Sequence, residues 1–182
     1  GVQTCALPIS PRLLIYMKRF IPYVFLLISS VLSASAYTPD SDGMYAVLDV
    51  TYFDPDAWEE TTGEIVIQLN YPESPVTVAN FVGLATGELP WYDFETQQVR
   101  GGPESPAPFY DGLTFHRVVP NFVIQTGSRN GTGNDGPGWQ IPNEADPGLN
   151  HIGGGVVSMA NSSQGETNLN SGGSQFFITM AQ

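Results

Sequence analysis

Residues 109–127, FYDGLTFHRVVPNFVIQTG, decide how the rest of the chain is read. Asp111-Gly112 is a turn signal. Apolar residues then dominate on both sides of Pro120-Asn121, as expected for two short strands, 113–119 and 122–126. Proline has no N–H for a ladder, so a turn, bulge or edge belongs between them. Inside the first strand stand His116 and Arg117. A charged side chain is rarely buried without a partner, so Arg117 must face water, an acid or a ligand. The solvent face of a strand satisfies that pattern as well as a site does. His116 reads as a hydrogen-bonded structural residue rather than a catalyst. Gln125 in FVIQTG, Asn161 after VVSMA and Gln175 before FFIT are further polar residues at apolar strands, and the two glutamines are equally compatible with a ladder-facing role.

Working outward, 45–52 (YAVLDVTY) and 63–70 (GEIVIQLN) alternate as half-buried strands joined through an acidic turn at 54–62. A helix follows. Ser74 is placed to cap it and Pro75 suits its first position. Val78, Phe81, Val82 and Ala85 form one apolar stripe, and Gly87 ends it. Residues 89–108 read as a long polar loop, of the length of an insertion. Residues 128–154 are nearly all loop, 156–160 and 175–180 are two more strands, and 161–174 is small and polar. Gly 20 and Pro 15 fit such a turn-rich, mainly β chain.

The composition is globular, with 41% hydrophobic, 12% aromatic and 13% charged residues over 182 positions, a length for one domain. Met17-Lys18-Arg19, the apolar run 20–32 and Ala34-Ser35-Ala36 have the form of a secretory signal peptide. The apolar run is shorter than the roughly 20 residues a membrane span needs. The expected organisation is therefore a non-native leader at 1–16, a signal peptide at 17–36 and one domain at 37–182. The expected location is exported, periplasmic or secreted, with no stable membrane anchoring after cleavage. Beyond residue 36 three arginines face eighteen acids, a net of −15, and Cys5 has no counterpart there. Such a surface repels nucleic acid and anionic headgroups, and solubility accounts for it.

Several chemistries lack their motifs: there is no G-x-S-x-G, no H-E-x-x-H and no P-loop. Residues 130–135 lack the alternating acids and terminal glutamate of a calcium loop. Two histidines and one cysteine make a metal cluster implausible. No metal and no cofactor are expected. Trp91, Tyr92 and Trp139 sit in loops, which leaves a carbohydrate-binding module as a remote alternative.

Taken together, FHRVVPNFVIQTG, NGTGNDGPG, VVSMAN and GGSQFFIT fall in the order of the cyclophilin family of peptidyl-prolyl isomerases, which the chain resembles from about residue 63 to 181. The resemblance implies a closed antiparallel β-barrel with one or two capping helices, incomplete here at the C-terminus. It implies that Arg117 is catalytic and that Phe122, Val123 and Phe177 form a proline pocket. Gln125, Ala160, Asn161, Ser162 and Gln175 are implied to bind the peptide. Thr126 and Ser128 stand where the family carries glycine and aspartate. The implied function is isomerisation of X-Pro bonds during folding of exported proteins, by a monomer acting on proline-containing polypeptides. The alternative is a proline-peptide-binding chaperone or scaffold with little catalysis.

Overall fold

The structure is a computed structural model that describes residues 9–18, 42–145, 149–162 and 170–180. The apolar run and cleavage site of the signal peptide lie outside the described residues. Strand β1 (Ile9–Lys18), drawn from the expected leader and the start of the signal sequence, pairs antiparallel with β2 (Gly43–Asp54). β2 pairs in turn with β3 (Glu59–Leu69). The acidic turn expected at 54–62 is mostly strand, since the ladder continues to Asp54 opposite Glu59. Thr51, Tyr52, Thr61 and Thr62 are β-branched or aromatic and favour extension over a loop. Only 55–58 turns. There Asp54 Oδ1 accepts the N–H groups of Asp56 at 2.8 Å and Ala57 at 3.3 Å.

Helix α1 (Pro75–Thr86) starts at the expected proline and buries Val78, Phe81, Leu84 and Ala85. Gly87 ends it at φ 76°, in the left-handed region. A Cβ at Gly87 would meet the Ala107 backbone at 2.3 Å, so conformation and close approach both require glycine here. The expected Ser74 cap does not form: its side chain makes no cap bond. Glu144, distant in sequence, takes that place. Its carboxylate accepts the N–H of Val76 at 3.0 Å and of Thr77 at 2.6 Å, putting negative charge on the positive end of the helix.

The expected polar loop at 89–108 contains a small hairpin, β4 (Trp91–Asp93) and β5 (Gln98–Arg100). Trp91 is the reason. Its indole is buried edge-on against Phe109, under the Arg129 guanidinium, and donates Nε1–H to Ala107 O at 2.8 Å. Trp139 is half-buried and donates to Asn80 Oδ1 at 3.0 Å, so these tryptophans do not form an exposed sugar platform.

β6 (Arg117–Val119), β7 (Val123–Thr126), β8 (Val157–Met159) and β9 (Phe176–Thr179) build an antiparallel sheet in the order β6-β7-β9-β8. Pro120-Asn121 makes the β6–β7 turn, with Asn121 at φ 59°. Side chains alternate across the sheet. Val118, Ile124, Phe176 and Ile178 join the core with the helix residues Phe81 and Leu84. Phe81, Tyr110 and Phe176 pack as a ring cluster with centroids 5.1–5.7 Å apart. The opposite face carries Arg117, Gln125 and Phe177. The fold is mainly β and antiparallel, as expected, with one helix among the described residues. The described strands lie in three sheets, and no pairing between them closes a barrel.

The Glu144 cap yields a stability prediction. Burial raises its carboxyl pKa, but the N–H bonds from Thr77 and Val76 outweigh this and hold it below 4.5. A depressed carboxylate stabilises the fold above its unfolded pKa, and the contribution disappears as pH falls through the folded value. Glu144→Gln is expected to cost about 0.5–2 kcal/mol at pH 7. In urea melts the gap to the parent chain should close below pH 4.5.

Candidate functional site

The β6–β7 register places Arg117 directly opposite Gln125, and the β7–β9 register places Gln125 opposite Phe177. Directly opposed residues share a sheet face. Arg117 Nη1 donates to Gln125 Oε1 at 3.2 Å. Gln125 Nε2 donates to Gln175 Oε1 at 3.0 Å. Gln175 Nε2 donates to the carbonyls of Gly133 at 2.9 Å and Asp135 at 2.8 Å. Four elements are thereby linked: β6, β7, the entry to β9 and the loop 128–135. Arg117 is exposed, and its guanidinium lies 5.6 Å from the centre of the half-exposed Phe122 ring.

Gln125, Ala160, Asn161, Ser162 and Gln175 line one groove of about 990 Å³. Five of the nine residues singled out from the sequence therefore meet there, and Arg117 is tied to it through Gln125. Ala160 N–H bonds to Gln175 O at 2.9 Å and extends the β8–β9 pairing. Asn161 is held by Asn143 and Ser171, and Ser162 N–H bonds to Ser171 Oγ at 2.7 Å. Val123 is 3% exposed. Phe122 stands at the β6–β7 turn. Phe177 and Asn161 line a second cavity of about 520 Å³, where the His151 ring lies 5.4 Å from Phe177.

The loop 128–135, read from sequence only as loop, proves to be the support of the site. Buried Ser128 places its hydroxyl between Asn130 Oδ1 (3.1 Å) and the Asp135 carboxylate, and accepts Gly133 N–H at 3.0 Å. Asp135 also accepts Asn130 N–H at 3.0 Å. Gly133 sits at φ 77°, and a Cβ there would lie 3.2 Å from His116 Nε2. The signal was the density of Ser, Asn, Asp and Gly, the residues whose side chains bond their own backbone. Thr126, at the other departure from the family pattern, is fully buried and donates to Thr114 O at 2.9 Å.

His116 corrects an expectation. It is not hydrogen-bonded at Nδ1, which is buried and without a partner among the described residues. A proton there would meet no acceptor. Burial lowers the ring pKa below 6.5; Asp135 opposes this and the Arg117 charge adds to it. The ring therefore stays neutral beside Arg117 near pH 7. Because the folded pKa is depressed, the unfolded chain binds protons first as pH falls. Stability should decline just below pH 6.5 and level off below the folded pKa. His116→Phe should remove that decline in urea melts, and ring NMR of the parent chain should show His116 titrating below 6.5.

Among the described residues no three ligand-type side chains converge to hold a metal. The site thus offers a fixed guanidinium, two oriented amides and adjoining apolar surface, a set for binding and polarising a peptide. The chain is similar to several known proteins. Peptidyl-prolyl cis-trans isomerase A of Mycobacterium tuberculosis is 47% identical over 120 residues, 66% of this chain and 60% of that protein. Peptidyl-prolyl cis-trans isomerase B of Streptomyces anulatus is 42% identical over 119 residues, covering 65% and 62%. The chain spans about 60% of the length of these curated relatives. A crystal structure of a Cryptosporidium parvum cyclophilin type peptidyl-prolyl cis-trans isomerase, in the presence of the dipeptide Ala-Pro, aligns with TM-score 0.50 and 28% identity. That alignment covers 65% of this chain and 63% of the other. The model of one family matches residues 57–182, and the chain belongs to it: cyclophilin type peptidyl-prolyl cis-trans isomerase/CLD.

Proposed function

We propose that the chain accelerates cis–trans isomerisation of X-Pro bonds in proline-containing polypeptides, as a monomer and without a cofactor. The observation that carries this reading is the Arg117 guanidinium, exposed yet held in place by Gln125 beside the Phe122 ring. The signal-peptide pattern at 17–36 supports action on exported proteins in the periplasm or outside the cell.

The uncatalysed barrier is roughly 18–20 kcal/mol, because rotation breaks amide conjugation. In the twisted state the prolyl nitrogen regains its lone pair and becomes an acceptor. A donor aimed there stabilises the twisted amide more than either planar form, which is what lowers the barrier. Arg117 has five N–H donors and stays charged across ordinary pH. Its bond to Gln125 uses only one of them. Gln125 retains one N–H and one lone pair beyond its bonds to Arg117 and Gln175, enough to hold a peptide group. In this reading Gln125 both positions the arginine and holds the substrate. Phe122 and Phe177 offer apolar surface to the proline ring from either side of Gln125.

The test is exchange NMR on a proline peptide with the full chain. Arg117→Ala should lower kcat/KM by about 10²–10³-fold, as for loss of one preorganised donor. Arg117 is exposed, so thermal stability should change little. An unchanged rate would refute the assignment. Peptide binding without any acceleration in the parent chain would favour the scaffold reading.

A further inference from the structure

One wall of the groove comes from outside the four-stranded sheet. Phe94, at the turn of the β4–β5 hairpin, lines it together with Gln125 and Ala160. The ring is 59% exposed and rests edge-on against Tyr92, 4.9 Å between centroids. A lone exposed phenylalanine needs no explanation; this one is held in position. Tyr92 N–H bonds to Pro137 O at 2.8 Å, in the stretch that forms the groove floor. A Cβ on Gly138 would meet Tyr92 Cβ at 2.9 Å, so hairpin and floor are in close contact. Asp93 accepts the N–H groups of Glu95 at 3.0 Å and Thr96 at 3.2 Å and pairs with Arg100 at 3.4 Å. Buried Trp91 fixes the hairpin base.

The chemistry around Phe94 favours a cation. The groove lining includes Asp135 and the amides of Asn130, Asn134 and Gln140, and it includes no lysine or arginine. Glu95 is exposed next to Phe94, and the chain carries a net charge of −12. An exposed aromatic ring with an acidic sequence neighbour, in a groove lined by amides and no cation, suits a guanidinium or ammonium group. We infer that the Phe94 hairpin is a specificity element that selects proline-containing substrates with an arginine or lysine side chain a few residues from the proline. This rests on the isomerase reading above for the placement of the proline. A groove of about 990 Å³ has a linear dimension near 10 Å, or about three extended residues at ~3.3 Å each.

The experiment uses the full chain and peptides with one X-Pro core. Arginine, glutamine or glutamate is placed two, three or four residues to either side. Exchange NMR reads kcat/KM, and titration reads Kd. At low salt, arginine at one of these positions should exceed glutamine by about two- to fivefold, the range of an exposed cation–π contact. Glutamate should fall below glutamine. Phe94→Ala should bring the arginine-to-glutamine ratio to about one, while Phe94→Tyr should keep it. A ratio near one in the parent chain, or a ratio that survives Phe94→Ala, overturns the inference and leaves the isomerase reading standing if the peptides are accelerated. If no peptide is accelerated, the isomerase reading fails and the Kd ratios decide: an arginine preference dependent on Phe94 supports the inference, and its absence overturns it.

Discussion

A guanidinium can only donate hydrogen bonds, and a backbone carbonyl can only accept them. Between Arg117 at one end and the Gly133 and Asp135 carbonyls at the other, the two intervening amides have one workable orientation each. Turning Gln125 over would set its N–H groups against those of Arg117. Turning Gln175 over would leave the two loop carbonyls facing an oxygen. The geometry of the site therefore depends on a loop that presents two carbonyls in fixed positions. Ser128 supplies that rigidity from the interior, where its hydroxyl binds the loop to itself. Behind Gly133 the neutral His116 ring fills the space a Cβ would need. An uncharged ring there adds no second cation beside Arg117.

The same period of two that builds the sheet separates its chemistry from its core. Phe176 and Ile178 go inward, each contributing about 1.5–3 kcal/mol by burial, and Phe177 between them goes to the site face. Ile124 and Gln125 divide in the same way. A slip of one residue would exchange the two faces, so register must be held firmly. Tyr110 and Ser174 hold it. The Tyr110 hydroxyl donates to Ser174 O at 3.0 Å, and Ser174 Oγ donates to Gly127 O at 2.7 Å. Gly127 directly follows the end of β7, and Ser174 directly precedes Gln175 at the entry to β9. Burial in the aromatic cluster pushes the Tyr110 pKa up, so the phenol remains a donor.

What was legible in the sequence was what repeats or punctuates. The strands around Pro120-Asn121, the helix from Pro75 to Gly87 and the late strands carrying Val157 and Phe176 follow from periodicity and turn residues. The convergence of Gln125, Ala160, Asn161, Ser162 and Gln175 on one groove was legible only through the resemblance, because it joins segments far apart in sequence. Two features were hidden for physical reasons. Glu144 caps a helix that begins nearly 70 residues earlier, so local capping rules point to Ser74 instead. Trp91 turns a polar stretch into a docked hairpin, because one buried indole outweighs the polarity of its neighbours. That His116 Nδ1 has no partner among the described residues was also invisible, since residue type sets what a nitrogen can bond and only packing sets what reaches it.

The three arginines beyond residue 41 show why one of them stands in a strand. Arg100 pairs with the Asp93 carboxylate, and its charge is answered there. Arg129 donates to Phe109 O at 2.7 Å and lies 4.8 Å over Trp91, where its charge and planar face hold the hairpin base. Arg117 also lies over a ring, 5.6 Å from the Phe122 centre, but has neither a carboxylate nor a backbone carbonyl as partner among the described residues. Among the described residues its hydrogen bond goes to a neutral amide, and no carboxylate stands within ion-pair distance. Arg129 likewise makes no ion pair among the described residues, but its guanidinium is occupied by a backbone carbonyl and two rings. A carboxylate partner would have fixed Arg117 just as well, but it would have cancelled the charge that a twisted amide needs. An amide fixes the direction of the guanidinium and leaves its charge uncancelled, as the proposed isomerisation requires.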